Sequence, residues 1–352
     1  MHRIAVAGAL AFSLSALAAP SAEPCCMDPA GYKGSISQSG QEAILFHHEG
    51  REELVLKIHY RIQGDRMPDR FAWVITVPNE PDDYALADPS VFEQVHDWAM
   101  RLVNPPKRSW GLGAKMAPAA EAAGLEFGRA VKVGPYDIQP VRALGREALE
   151  GLNAWLASNG FPTEEPSHME YFVDRKFTFL CVKVNPPEGE KAVASASELV
   201  PLHLSFRSEQ PYYPLRFSSR QGVFDVTLTV LTRDPFDFRN SGDSLRRINW
   251  RDEGWETNVP VAVENFPPAL SKAFDRSPLA KQRGRWHLNV LRGYGVNRGN
   301  TIATWSSDIF FATVRAPAGD GLLLAAAGTG AVLVLGAFLV LRRRARRGAL
   351  PA

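Results

Sequence analysis

LVLKIHYRIQ, the stretch from residue 54 to residue 63, indicates the fold class of this chain. Apolar side chains occupy every second position, namely Leu54, Leu56, Ile58, Tyr60 and Ile62. The positions between them are Val55, Lys57, His59, Arg61 and Gln63. Because successive side chains of a strand point to opposite faces, this alternation predicts a β-strand with one buried face and one wet face.

Further strands and two helices are predicted around this stretch. FAWVITV, residues 71–77, is apolar on both faces and predicts a central strand; the other candidate strands are residues 127–133, 177–184, 202–206, 224–231 and 308–314. One amphipathic helix follows Asp88 and Pro89, and a second covers residues 146–158. The sequence therefore predicts an α+β domain built on a strand-rich, mixed or antiparallel sheet with two amphipathic helices.

Both ends of the chain carry the pattern of an exported membrane protein. Residues 1–22 combine Arg3, an apolar stretch and a small-residue cleavage pattern, which is the form of a secretory signal peptide. Residues 321–341 are uncharged and would span about 31 Å as a helix, close to the ~30 Å hydrocarbon core of a bilayer. Arginines follow from residue 342 and indicate a cytoplasmic C-terminus. We expect a single-pass protein with its N-terminal domain outside the cytoplasm.

These patterns divide the chain into a signal peptide (1–22), an extracytoplasmic domain (23–315), a stalk (316–320), a transmembrane helix (321–341) and a basic tail (342–352). Residues 234–257 are a possible internal boundary. The lipid bilayer is the expected partner of the C-terminal helix. We favour permanent anchoring over removal of the C-terminal segment by a sorting protease. The paired-glycine or cysteine motif that usually marks such removable tails is missing.

Composition and charge exclude several classes. Hydrophobic residues make up 45 % and charged residues 22 %, which excludes generic disorder. Of 40 lysines and arginines, Arg3 lies in the signal peptide and five arginines lie in the tail, which leaves 34 against 38 acidic residues in residues 23–341. Binding to nucleic acid needs a basic face, so no nucleic-acid partner is expected.

The three cysteines, Cys25, Cys26 and Cys181, allow three interpretations. Thiols of exported proteins are usually oxidised, and a bridge from one of the adjacent pair to Cys181 would close a loop of ~155 residues, which stabilises by up to about 5 kcal/mol. Alternatively, Cys181 is a buried inert thiol, because its sequence neighbours are apolar. The third interpretation, a thiol nucleophile, has no surrounding motif to support it.

No catalytic, cofactor or metal site is predicted. The histidines form no ligand motif and are expected to be scattered over the surface. Adjacent acids such as Glu52 and Glu53 are expected in solvated turns. Residues 242–245 read GDSL, the tetrapeptide of a serine esterase family, but no later Asp-x-x-His supplies the acid and base that such a serine needs.

Large aromatic residues offer a further hypothesis. Trp73, Tyr212 and Tyr213 are typical core anchors of a sheet. Alternatively, they form an exposed aromatic surface that binds glycans or peptides.

Five stretches of the chain together resemble a bacterial family known as domain of unknown function 2330. They are Cys25–Cys26 with residues 38–46 (QSGQEAILF), residues 71–78 (FAWVITVP), residues 152–161 (LNAWLASNGF), residues 171–184, and residues 199–219 (LVPLHLSFRSEQPYYPLRFSS). The resemblance implies an exported protein, often with a C-terminal membrane or sorting segment, and it implies no activity. Adjacent cysteines depart from the wider spacing common in that family.

From these observations we expect a membrane-anchored domain of the cell envelope that binds or scaffolds an envelope protein or glycan without catalysis. The alternative is an envelope hydrolase or thiol enzyme whose site is assembled from distant residues.

Overall fold

A computed structural model describes most of the predicted domain. The described residues are 26–64, 68–104, 130–142, 146–185, 196–220, 223–237, 257–281, 284–296 and 308–314. The predicted signal peptide, transmembrane segment and GDSL tetrapeptide lie outside them, as does most of the possible boundary at 234–257. Residues up to Thr313 form one compact unit.

Strands dominate the described residues. They are β1 (Cys26–Met27), β2 (Ser35–His48), β3 (Arg51–Gln63), β4 (Phe71–Val77), β5 (Asp83–Leu86), β6 (Val131–Val133), β7 (Tyr136–Arg142), β8 (Thr178–Val184), β9 (Ala196–Glu198), β10 (Leu202–Arg207), β11 (Tyr212–Tyr213), β12 (Phe224–Thr232), β13 (Val259–Ala262), β14 (Arg285–Val296) and β15 (Ile309–Phe310). The α-helices are α1 (Val91–Val103), α2 (Arg146–Ser158), α3 (Pro166–Asp174) and α4 (Pro268–Asp275).

The strands form two large sheets and one small pair. The larger sheet has the order β13-β14-β12-β2-β3-β10-β5, with β9 also pairing β3. Its strands are antiparallel except that β12 runs parallel to β2. The second sheet has the order β1-β4-β8-β7-β6, and β11 pairs with β15. The α+β class with mixed sheets is confirmed.

Two hydrophobic cores lie on opposite faces of the larger sheet. One face packs against the second sheet, α2 and α3, as shown by Tyr60 and Phe71, whose ring centroids are 5.4 Å apart. The other face is covered by α1 and α4, where Phe46 packs against Phe274 and Trp286. The larger sheet is therefore buried on both faces over much of its area.

Several predicted elements have close counterparts, and others differ. The strand at 71–77 and the helix at 146–158 are confirmed, whereas α3 and α4 were not predicted. Ser90 occupies the N-cap position of α1, and the Asp88 carboxylate accepts hydrogen bonds from the Ser90 amide and hydroxyl. The prediction that one face of β3 is exposed to solvent is wrong up to residue 58, because Val55 and Lys57 on that face are buried beneath α1. None of the helices in the described ranges is long and apolar enough to span a membrane.

Candidate functional site

Cys181 lies in the centre of the second sheet as a free, buried thiol. Burial raises its pKa well above the usual range, so the thiolate needed for nucleophilic attack is disfavoured. Cys26 pairs with Trp73 across β1 and β4, and Trp73 pairs with Val182 on the far side. Cys26 and Val182 are therefore two strand spacings apart, about 9.6 Å, which is too far for a disulfide at that position. Cys181, the neighbour of Val182, points to the other face of the sheet and is also out of reach of Cys26. A Cys26–Cys181 bridge is therefore wrong, while Cys25 lies outside the described residues.

The predicted aromatic residues are all buried. Trp73, Tyr212 and Tyr213 belong to the core between the two sheets, so they present no exposed shelf. Trp73 and Tyr213 line a cleft between the sheets, where the Tyr213 hydroxyl and the Ser218 hydroxyl both bind the amide of Gln41. The centre of a water molecule can occupy a volume of about 20 Å³ in this cleft. The cleft therefore has room for one water molecule but not for a sugar or a peptide.

Glu53 is the centre of a buried polar cluster and does not lie in a solvated turn. Its carboxylate accepts hydrogen bonds from the hydroxyls of Ser205 (2.8 Å) and Ser277 (2.7 Å). His203 Nε2 lies 3.0 Å from the other carboxylate oxygen. In a serine hydrolase the serine bonds to the histidine, but here both serines bond to the acid. The cluster therefore fastens the end of α4 to the sheet and is not a catalytic triad.

Glu52, the neighbour of Glu53 on β3, points to the opposite face. It is fully buried and accepts the backbone N–H of Tyr212 at 2.7 Å. Burial raises the pKa of Glu52 well above its usual range, and the charge of Glu53 adds to this, against the hydrogen bond from Tyr212. Glu52 therefore fastens β11 to β3 through this hydrogen bond. The expectation of solvated turn residues is wrong for this pair.

Asp308 closes the core near the C-terminal end of the described residues. It accepts hydrogen bonds from the amides of Leu215 and Arg216 and from the Tyr212 hydroxyl. Burial raises its pKa to about 6, although these hydrogen bonds lower it. This carboxylate therefore has a structural role.

One group of polar side chains is built by the strand register, and its members are partly exposed except for the buried Lys57. Lys57 pairs with Glu42, Glu42 with Thr227, and Thr227 with Arg292, across β3, β2, β12 and β14. Because register partners point to the same face, these four side chains form one line, here named the polar row. It follows the edge of α1, where a groove is lined by Glu42, Thr227, Phe92 and His96.

Ion pairs organise one end of the polar row. The Lys57 ammonium lies 3.2 Å from Glu42 and 3.0 Å from Glu198. His59 Nε2 lies 2.5 Å from Glu42, and its ring lies over Gly40, where a Cβ would come within 3.4 Å of the imidazole. Burial alone would raise the pKa of Glu42, but the hydrogen bond from His59 and the charge of Lys57 lower it. Glu42 is therefore a carboxylate at neutral pH.

The other end of the polar row carries groups suited to recognition. Arg292 Nη2 lies 2.9 Å from His96 of α1. Tyr294, two residues further along β14, is 45 % exposed, and Val223 at the same end of the β12–β14 ladder is 51 % exposed. Arg292 thus contacts His96, which lines the groove, and its Nη1 lies 3.5 Å from the hydroxyl of the exposed Tyr294.

Histidines do not follow the predicted surface pattern. His47, His168 and His203 are buried, and burial lowers the pKa of His47. His59 and His96 do lie near the surface, beside the polar row. Within the described ranges no group of three His, Cys, Asp or Glu side chains could hold a metal ion.

Sequence comparison places the chain in a family. Residues 20–313 match the family described as "Uncharacterized protein conserved in bacteria (DUF2330)", which confirms the resemblance. No curated protein matches the chain. The crystal structure of baculovirus P35 is 10 % identical, with 80 % of this chain and 98 % of that chain covered and a TM-score of 0.39. A mutated baculovirus P35 after caspase cleavage is 9 % identical, with 79 % and 100 % covered and a TM-score of 0.35. Likeness at this level supports no conclusion about fold or function.

Proposed function

The chain belongs to this uncharacterised bacterial family, and we propose that it is an extracytoplasmic binding domain whose polar row and neighbouring Tyr294 contact a partner polypeptide. The signal peptide, C-terminal membrane helix and cytoplasmic tail predicted from the sequence support a location in the cell envelope with a single-pass, N-out orientation, which is part of this proposal. The observation that carries the proposal is the exposure of Tyr294 beside Arg292 and the α1 groove.

The composition of this surface supports a binding role. Tyrosine and arginine are enriched among the residues that dominate the binding energy of protein interfaces. By contrast, the other ionisable clusters described above are buried around Glu53, Glu52 and Asp308 and hold structural elements together. Glu42, Thr227 and Arg292 are partly exposed, so a partner can reach these members of the polar row without unfolding the domain.

The charges of the polar row favour a polypeptide over a polyanion. Lys57 and Arg292 are cations, but Glu42 and Glu198 lie beside Lys57. A polyanionic partner would face these carboxylates, whereas a polypeptide segment can present both signs together with an apolar side chain for Tyr294. Electrostatic complementarity of this kind contributes specificity.

Photo-crosslinking from Tyr294 tests this proposal. The full chain, with a benzoylphenylalanine at position 294, is produced in its native host and irradiated. We expect one adduct of defined mass. The matched control places the same residue at Glu209, which is also exposed but lies away from the polar row. Absence of an adduct at position 294, or the same adduct at position 209, would contradict the proposal.

A second function is favoured by one contact. The 2.5 Å contact between His59 and Glu42 resembles the base and orienting acid of a hydrolase. The full chain would then hydrolyse ester, peptide or glycoside substrates, and His59→Ala would abolish the activity. An activity that survives His59→Ala would exclude this site as its source.

A further inference from the structure

The groove between α1 and the larger sheet has apolar side chains on its helix side and polar side chains on its sheet side. The α1 residues that line it lie on one face of the helix: they are Phe92, Val95, His96, Ala99 and Met100. The sheet residues include Glu42, Thr227, Thr229 and Val290. The centre of a water molecule can occupy a volume of about 10 Å³ in this groove, so the groove has room for one group of that size.

The groove can be reached from solvent. His96 is exposed, and Met100, Val290 and Glu42 are partly exposed, whereas Thr229 is buried. The end of a side chain from a partner can therefore reach Glu42 without unfolding the domain.

Three side-chain oxygens of the groove can accept a further hydrogen bond. Lys57 and His59 both contact Oε1 of Glu42, which leaves Oε2 as an acceptor for another donor. The hydroxyls of Thr227 and Thr229 have no hydrogen-bond partner within the described ranges. Glu42 and Thr227 are register partners across β2 and β12, so their side chains lie side by side on one face. Thr229 lies two residues along β12 on that same face.

The charges beside the groove favour a cation at Glu42. Lys57 is shared between two carboxylates, because its ammonium lies 3.2 Å from Glu42 and 3.0 Å from Glu198. Arg292 contacts His96 at the exposed side and is not among the lining residues. Glu42 is a carboxylate at neutral pH, since the hydrogen bond from His59 and the charge of Lys57 lower its pKa against the effect of burial.

We propose that this groove binds the ammonium group of a lysine side chain from the partner polypeptide. The inference rests on the proposed function and names the chemistry that the partner presents. A lysine ammonium offers three N–H donors and is compact, whereas the guanidinium of arginine is a broad planar fork that exceeds the room available. The methylene groups of the lysine can pack along Met100 and Val290 while the charge reaches Glu42.

Methyl NMR of the full chain in nonionic detergent tests the site. The methionine methyl groups are labelled with carbon-13, because Met100 lines the groove and buried Met27 belongs to the other core. The probe is N-α-acetyl-lysine methylamide, and the comparison probes are the same derivatives of arginine and norleucine. We expect the lysine probe to shift the Met100 signal saturably and to leave the Met27 signal in place. The other two probes should bind more weakly.

Substitutions in the groove separate this site from a general charge effect. Glu42→Gln should weaken binding of the lysine probe by about tenfold, as expected when a charge-assisted hydrogen bond is lost. Thr227→Val keeps the shape but removes an acceptor, so it should weaken binding by a smaller factor. Glu209→Gln, which changes an exposed acid away from the groove, is the matched control and should bind as the wild type does.

Two results would overturn the proposal. One is equal binding of the lysine probe, or none, by wild type, Glu42→Gln and Thr227→Val; the other is tighter binding of the arginine probe than of the lysine probe. The crosslink from position 294 does not depend on these probes. A failed lysine titration with an intact crosslink would therefore reject the lysine site and leave the proposed function standing, whereas lysine binding without a crosslink would do the reverse.

Discussion

Removal of the Glu53 carboxylate should destabilise the fold strongly. The side chain is 1 % exposed, and Glu53→Ala leaves three buried partners, Ser205, Ser277 and His203, without their acceptor. Breaking a buried charge cluster on one side costs about 3–5 kcal/mol, and each stranded donor alone costs about 1–3 kcal/mol. We therefore expect the free energy of unfolding to fall by about 3–5 kcal/mol.

Urea unfolding of the full chain in nonionic detergent measures this loss. Tryptophan fluorescence is a suitable signal, because buried Trp286 packs against Phe46, the register partner of Glu53. The matched control is Glu42→Ala in the polar row. Its ion pairs are partly exposed, so it should lose about 1 kcal/mol or less. Equal destabilisation by the two variants would refute the distinction between the structural cluster and the surface row.

Three further predictions concern titration and reactivity. Burial raises the pKa of the Asp308 carboxyl group to about 6, above its value in the unfolded chain, so the folded state binds this proton more tightly. The free energy of unfolding should therefore rise by up to about 3 kcal/mol as the pH falls from 7 towards 4. Asp308→Asn, whose amide oxygen can accept the same backbone N–H groups, should reduce this dependence of the unfolding free energy on pH, as measured by urea unfolding between pH 4 and 7. An unchanged pH dependence would contradict its assignment to Asp308. Glu42 has the opposite effect on stability, because its pKa is lowered in the folded state. Its carboxylate stabilises the fold above about pH 4.5, and this contribution is lost at lower pH. Glu42→Gln should therefore reduce the loss of stability in acid. Cys181 should resist alkylation in the folded protein and react on unfolding, as mass spectrometry would show; rapid labelling of the native protein would restore the thiol-enzyme hypothesis.

The sequence predicts β3, β4, β8, β10 and β12, but it predicts neither β2, β7 and β14 nor the pairing of the strands. Periodicity identifies β3 and β4, since alternation and continuous apolarity are local signals. It cannot show that Ser39 is an extra residue between Gln38, which pairs with Tyr60, and Gly40, which pairs with His59. This bulge sets which face of the sheet Glu42 occupies, and a one-residue shift exchanges the faces.

The candidate site depends on that register. Lys57 and His59 are visible in the sequence as polar positions of β3, but Glu42, Thr227 and Arg292 join them only through pairing across four strands. Glu52 and Glu53 show the opposite error. Their residue types favour solvent, and only partners distant in sequence, such as Tyr212 and Ser277, make their burial possible.

A charge swap tests the binding surface most directly. The triple variant Glu42→Lys/Lys57→Glu/Glu198→Lys keeps both ion pairs of position 57 and reverses the charges at the partly exposed positions 42 and 198. In the crosslinking assay from position 294, we predict that this swap reduces the adduct by about tenfold, because like charges now meet across the interface. A parallel Glu209→Lys variant should leave the adduct unchanged. An undiminished adduct in the charge-swapped protein would contradict the assignment of the polar row as the binding surface.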